Sequence, residues 1–519
     1  MKRTIGLLAA LTLIAAAACG GDDSARTTIF TTDHPAVTAA ATTGAPASED
    51  LYLPAGGTAN PNDAEYDLTF FQNYGVNPRI DTIDDPLSTF GLDVDTGSYT
   101  VGRRWLSDGN LPDPDSVRVE EYVNWFDAGY ESGEGTFTVF VDGGPTPFTE
   151  NDRYQIVRIG LQGKVVDDED RPRANLVFAI DVSGSMDRED RLETVKEALA
   201  ILVEQLRPDD TVGIVVYGSR GQVILEPTPV EDSGRIQRAI ARLRPDGSTN
   251  AEEGLVLAYE MASEMHTAGI INRVILASDG VANVGDTGSD SILESIREHA
   301  AAGIQLVTVG FGMGNYNDVL MEHLADDGDG FYAYVDDLEE AERLFVHGLT
   351  GTLFTIASEA RVQVEFDADT VERWRLIGFE NRAIDDDDFR DDTVDAGEIG
   401  AGHHVTALYE VRVAADAASD ARLGTVHLRW LEPGATEGTE MSAEFLASDL
   451  AASFEEASPR FQLAASVATY AEVLRDSYWA QHLTLDDVAP HAERLADLLD
   501  DADVTEWRDL VVTAATLAG

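Results

Sequence analysis

The stretch Leu176-Val177-Phe178-Ala179-Ile180-Asp181-Val182-Ser183-Gly184-Ser185 decides the fold. Five apolar residues in succession, without polar alternation, read as a strand buried on both faces. The carboxylate and two serines that follow read as a loop at its carboxyl end. Working outward, four more apolar runs are expected to be strands: Val212–Tyr217, Val274–Ala277, Leu306–Val309 and Phe331–Val335. Between them lie amphipathic helices. In the first, Leu192, Val195, Leu199, Leu202, Val203 and Leu206 recur at three- and four-residue spacing; a second carries Ile236, Ile240 and Leu243. Alternating strand and helix of this kind predicts a doubly wound, mostly parallel α/β sheet covered on both faces.

Two further fragments fall beside the strand ends. Gly247-Ser248-Thr249-Asn250 precedes a helix, and Ser278-Asp279-Gly280 follows the strand Val274–Ala277. In an open α/β sheet, ligands bind at the carboxyl ends of the strands, so these loops are expected to converge. Ser183, Ser185 and Thr249 offer neutral hydroxyls; Asp181 and Asp279 offer carboxylates. An all-oxygen set without Cys or His suits a hard cation, Mg²⁺ first, with Mn²⁺ and Ca²⁺ as alternatives. Asp and Ser also cap helices well, and for Asp181–Ser185 alone that reading is equally open.

Asp-x-Ser-x-Ser with the downstream Thr and Asp resembles the metal-ion-dependent adhesion site of von Willebrand A domains. The resemblance implies that Ser183, Ser185 and, depending on state, Thr249 ligate the metal directly. It implies that Asp181 and Asp279 act directly or through water. It further implies a protein partner whose Asp or Glu completes the coordination, and specificity set by the loops 187–190, 219–222 and 282–290. The flanks Ser88–Phe126 and Asp395–His403 resemble a bacterial family of A-domain lipoproteins, the uncharacterised YfbK-like proteins. In some A domains the last helix shifts on ligand binding; here that helix falls near Leu338–Phe345, and a shift could pull on the segment that follows.

The rest of the chain frames this unit. Lys2 and Arg3 precede an apolar run, Ile5–Ala18, too short to span a bilayer, and Ala16-Ala17-Ala18-Cys19-Gly20 resembles a lipobox. Residues 1–19 are therefore expected to be a lipoprotein signal peptide with Cys19 lipidated, and the protein extracytoplasmic, anchored to the cell membrane or outer membrane. Residues 20–64, rich in Thr, Ala, Gly, Asp and Pro, read as a tether. Residues 65–172 form a mixed segment with strands, 173–350 the A domain, 351–455 a β-rich domain and 456–519 a helical segment. The strands before and after the α/β unit are expected to share one sandwich, with the α/β unit inserted.

The 95 acidic residues against 36 basic ones give a net charge of −59, which repels phosphate backbones and argues against nucleic acid as partner. The reading is a binding protein rather than an enzyme. Its rival is an acidic envelope scaffold in which the metal only stabilises the fold. Asp95-Thr96-Gly97-Ser98 imitates an aspartic protease loop, but that chemistry needs two carboxylates sharing a proton, and a second hydrophobic-flanked motif is missing. Asp95 and Thr96 are instead expected to cap the following helix, and Asp115-Ser116 to cap a second helix with Val119, Tyr122, Val123 and Phe126 on one face. Asp326-Asp327-Gly328-Asp329-Gly330 reads as a turn, Asp385–Asp392 as a solvated loop, and His403 and His404 as neighbours facing opposite ways.

Overall fold

The computed structural model describes residues 71–92, 95–149, 153–188, 191–280, 289–312 and 317–519. The leader with Cys19 and the tether 20–64 lie outside these residues, as does most of the loop 282–290.

Six strands form the α/β sheet in the order Tyr332–Val335, Gln305–Phe311, Ile271–Ser278, Ala174–Asp181, Thr211–Tyr217 and Gly221–Pro229. The first five are parallel and the last pairs antiparallel with its neighbour. Ala174–Asp181 lies near the centre and is buried along its whole length. That explains its unbroken apolar run. The helix Arg191–Gln205 covers one face with Leu192, Val195, Leu199 and Leu202. The helix Ala251–Met265 covers the other with Leu255, Ala258 and Ala262. The strand Gly221–Pro229 is an addition to the sequence reading. Only two of its nine residues are buried, so it has no apolar run, and prolines close it.

The strands outside this unit form two antiparallel sheets. One orders Ile80–Asp81, Val371–Ile377, His404–Val413, Tyr154–Gly163 and Phe137–Gly144. The other orders Gly397–Gly400, Thr355–Phe366, Arg422–Leu431 and Thr439–Leu446, with Leu87–Gly91 also pairing to Thr355–Phe366. Tyr154–Gly163, before the α/β unit, pairs with His404–Val413, after it, placing Leu161 opposite Val405 and Ile159 opposite Ala407. The α/β unit is thus an insertion into one sandwich. The segments 65–172 and 351–455 do not stand as separate bodies, because their strands share both sheets and a core that includes Phe90, Ile159, Val362, Tyr409 and Val426.

The C-terminal helices Pro459–Leu474, Leu485–Leu499 and Ala502–Ala518 pack with the N-terminal helices Gly97–Ser107 and Val119–Asn124 around Tyr99, Tyr122, Trp125 and Trp507. Ser458 caps the first, accepting from the Phe461 N–H at 3.2 Å, with Pro459 at the first helical position. No helix among the described residues is long and apolar enough to cross a membrane.

Two capping expectations fail. The helix Gly97–Ser107 has no side-chain cap. Asp95 instead accepts from the Tyr332 N–H at 2.9 Å, with Arg382 at 3.5 Å, and fastens the N-terminal segment to the far edge of the α/β sheet. Gly97 is required there because a Cβ would lie 2.3 Å from the Tyr332 ring. Asp115 and Ser116 do not cap Val119–Asn124 either; the Ser116 hydroxyl donates to the Asp113 carbonyl at 2.7 Å. The Asp385–Asp392 run is less solvated than its charge suggests. Asp386 accepts from Thr89 at 2.5 Å, and Asp392 holds Arg429 through two bonds of 2.8 and 2.7 Å. Asp326–Gly330 forms a turn, with Gly328 N–H on the Ala325 carbonyl at 3.0 Å. His404 sets its Nε2 3.1 Å from the Phe126 carbonyl oxygen.

Candidate metal centre

Asp181 ends the central strand, and its Oδ1 accepts from the Ser183 N–H at 2.7 Å. That two-residue loop turns the chain so that Ser183 and Ser185 face the same way. Gly184 N–H donates to the Gly247 carbonyl at 2.9 Å, which joins the second loop to the first. Gly247 has φ +76°, and a Cβ there would overlap Ser219 Oγ at 1.8 Å, so only glycine permits this approach. Asp246 N–H donates to the Val182 carbonyl at 2.5 Å and Asn250 N–H to the Gly218 carbonyl at 2.9 Å. Asn250 also caps the helix Ala251–Met265 through the Glu253 N–H. Thr249 is therefore held on a loop pinned on both sides.

The third loop follows directly from the neighbouring strand. Ser278 Oγ donates to Asp181 Oδ2 at 3.0 Å. Ser183 Oγ and Ser185 Oγ are 2.9 Å apart, and Ser185 Oγ donates to Asp279 Oδ1 at 3.1 Å. Asp181, Ser183, Ser185 and Asp279 thus form one chain of contacts. Thr249 is half-buried on the loop that Gly247 joins to the first, and it makes no hydrogen bond to the other four.

Asp181 is 0 % and Asp279 1 % exposed. Burial pushes the Asp181 carboxyl up to about 7, and the charge of Asp279 adds to the rise. Burial also raises Asp279, opposed by Arg191. Arg191 Nη1 donates to Asp279 Oδ2 at 2.7 Å. Ser278 and Arg191 are participants that the motif reading missed. Ser278 was adjacent to a marked residue, and Arg191 opens the first helix after the motif, in the first turn, where an acid is the favoured residue.

The oxygens present fit a small divalent cation. Mg²⁺–O bonds of roughly 2.0–2.1 Å at right angles put neighbouring ligand oxygens about 2.9 Å apart. The Ser183–Ser185 and Ser185–Asp279 separations are 2.9 and 3.1 Å. Two buried like charges, offset at Asp279 by Arg191 and more weakly by Arg188, leave negative charge to neutralise. Among the described residues no three His, Cys, Asp or Glu side chains gather as a metal cluster, so hydroxyls have to complete the set.

Three family models match the chain: von Willebrand factor over residues 65–158, von Willebrand factor type A domain over 175–347, and the C-terminal region of the uncharacterized protein YfbK over 351–517. The uncharacterized protein YfbK of Escherichia coli is 34% identical over 457 residues, covering 84% of this chain and 78% of that one. Protein sll0103 of Synechocystis is 30% identical over 36% of this chain and 44% of its own length. Human inter-alpha-trypsin inhibitor heavy chain H4 is 28% identical over 30% of this chain and 17% of its own length. A solved von Willebrand factor type A protein from Catenulispora acidiphila superposes with TM-score 0.41 at 15% identity, covering 74% of this chain and 91% of that one. With an A-domain match on the inserted unit and YfbK matched across most of both lengths, the chain belongs to the YfbK-like family of von Willebrand A domain proteins.

Proposed function

We propose that this protein is an extracytoplasmic, lipid-anchored binding module that holds a divalent cation, Mg²⁺ in the first instance, and captures a carboxylate of a protein partner. One observation carries the reading. Ser183 begins the short 3₁₀ turn Gly184–Asp187 yet makes no side-chain cap bond. Its hydroxyl turns to Ser185, and that of Ser185 to Asp279. Residues selected as caps would direct these oxygens at backbone N–H groups.

In this reading Ser183, Ser185 and Thr249 supply neutral oxygens, and Asp181 and Asp279 balance the charge. A bound cation supplies Lewis acidity toward an incoming carboxylate. Gly184 and Gly247 keep the first two loops in contact, and Ser278 fixes the orientation of the Asp181 carboxylate. Arg191 already neutralises part of the site, so the fold does not depend on the cation for its whole charge balance. That favours adhesion over a purely structural metal.

The test is the Mg²⁺-induced melting shift and Mg²⁺-dependent partner capture from envelope extracts. Both are expected in the wild type and lost in Ser183→Ala and Asp181→Ala. Equal melting shifts in mutant and wild type would refute the site. A shift that depends on these residues, without any EDTA-sensitive capture, would leave only the scaffold. Anchoring is tested by incorporation of labelled palmitate, expected in the wild type and absent in Cys19→Ala. Asp95 is assigned a structural role, and an Asp95→Asn variant is expected to change no peptidase activity.

A further inference from the structure

The acidic chain carries a basic groove. It has a volume of about 430 Å³ and is lined by Arg220, Arg235, Arg238, Arg242 and Arg244. It lies between the edge strand Gly221–Pro229 and the helix Ser233–Ile240, with buried Leu225 and Leu243 in its wall. All five arginines are exposed. Arg244 donates to the carbonyls of Ala241 and Leu243 at 3.1 and 2.6 Å. The guanidinium groups of Arg220, Arg235, Arg238 and Arg242 bond to no group among the described residues.

That arrangement runs against the composition. Acids outnumber bases 95 to 36, and many arginines elsewhere are taken up by carboxylates, as in Arg171–Asp210, Arg79–Glu410 and Arg475–Glu380. Arg235, Arg238 and Arg242 recur at three and four residues, where like charges repel. Asp246 is the only carboxylate in the lining. Unpaired arginines grouped on the wall of a cleft of ligand size constitute an anion site.

The groove adjoins the candidate metal centre. Val182, between Asp181 and Ser183, lines it, and so does Asp246, whose N–H holds the Val182 carbonyl. We infer that the groove binds an acidic polypeptide segment, so that further carboxylates of the partner lie against these arginines. The inference rests on the adhesion reading for the placement of the segment, with one carboxylate at the metal centre. The edge strand favours a polypeptide over a phosphate-bearing lipid surface. Gly221–Pro229 ends its sheet and pairs with one strand only, and an extended chain can add along such an edge. Val223 and Ile224, 41 % and 40 % exposed, offer that chain apolar contacts. The net negative charge opposes distant approach, but it is screened beyond about 8 Å at physiological ionic strength, so the arginines act at contact range.

The test uses the full chain and a fluorescein-labelled, glutamate-rich decapeptide, followed by anisotropy in Mg²⁺ and in EDTA. Arg238→Ser with Arg242→Ser is expected to weaken binding about tenfold, from two exposed charge pairs, and to flatten its salt dependence. The Mg²⁺ melting shift is expected to be unchanged in that variant. Ser185→Ala is expected to lose only the Mg²⁺-dependent part of the binding. Equal affinity in the arginine variant and wild type overturns the inference, as does a glutamine version of the peptide that binds equally well. Arginine-dependent binding to phosphatidylglycerol vesicles but not to the peptide replaces it with a lipid surface. Arginine-dependent peptide binding in a wild type that gives no Mg²⁺ response leaves the groove standing and removes the adhesion reading.

Discussion

Arg191→Met separates the two cations that the site can use. Arg191 is 4 % and Asp279 1 % exposed, and their contact of 2.7 Å has hydrogen-bond geometry. Removing one member of a buried pair costs about 3–5 kcal/mol, because the other charge stays buried without a partner. Met keeps the length of the stem, which packs so closely on Gly312 that a Cβ there would lie 2.4 Å from Arg191 Nε. The loss therefore reports charge rather than packing. In EDTA the variant is expected to be less stable by about 3 kcal/mol, the low end of that range, because Asp279 can take up a proton. Saturating Mg²⁺ supplies the missing positive charge, so the deficit should fall by at least half. The Mg²⁺-induced stabilisation of the variant then exceeds that of the wild type, itself about 2.7 kcal/mol at a hundred times Kd. Urea unfolding in both buffers measures the four free energies. A deficit of the same size with and without Mg²⁺ would mean that no cation reaches Asp279, and the adhesion site would fall with it.

Other perturbations bear on separate parts of the structure. Gly247→Ala forces φ +76° on a residue with a Cβ and drives it into Ser219; a loss of about 1–3 kcal/mol and a weakened Mg²⁺ shift are expected by thermal melting. Arg103→Met leaves Asp336 and Glu340, bonded to Arg103 at 2.5 and 3.0 Å, without their shared partner, and should cost about 3–5 kcal/mol in urea. Burial pushes Glu120, Glu340 and Glu359 up to about 7. A raised acid binds its proton more tightly in the folded state, so its stabilisation is lost as pH rises from the unfolded value through the folded one. Melting temperature should therefore fall between about pH 4.5 and 7, and Glu340→Gln should flatten the slope; a rise over that window would contradict the burial of these groups.

Sequence reading succeeded where one physical signal dominated. Leu176–Ile180 is apolar because both faces of the strand are covered, and Asp181-Val182-Ser183-Gly184-Ser185 ends it as the reading required. Four of the five marked side chains are in contact, and the loop that carries Thr249 is joined to theirs through Gly247. The signal failed where burial was one-sided or where long-range partners took a residue. Gly221–Pro229 escaped notice because the edge of a sheet needs few apolar positions. Asp95 and Ser116 look like caps locally, yet Tyr332, from 237 residues away, claims the first. The arginine groove was equally invisible, because Arg220 and Arg235–Arg244 meet only once the edge strand has folded back toward the following helix.

The end of the inserted domain bears on whether ligand binding could move the sandwich. The last helical segment, Leu338–Glu342 followed by a π turn over Arg343–His347, leads through Leu349–Leu353 into the strand Thr355–Phe366. A shift there would pull on the sandwich, as the sequence suggested. The segment is, however, clamped from the side. Arg103 bonds Asp336 and Glu340, Trp125 Nε1 donates to Glu340 at 3.3 Å, and Arg343 lies 3.9 Å over the Trp125 ring while pairing with Asp503. Moving the segment breaks this cluster, at a cost of the order of 3–5 kcal/mol for the buried pairs alone. Reversing a 99:1 population needs a ligand with about 5.5 kcal/mol of preference for the minor state. A single carboxylate at the site is not expected to supply a preference of that size, so binding should leave hydrogen exchange over Glu339–Leu349 unchanged in the wild type. In Arg103→Met the clamp is gone, and the same ligand should then accelerate exchange in that segment. Unaltered exchange in both proteins would mean that the helix is not coupled to the metal loop, whereas ligand-induced exchange in the wild type would show the clamp to be far weaker than its burial implies.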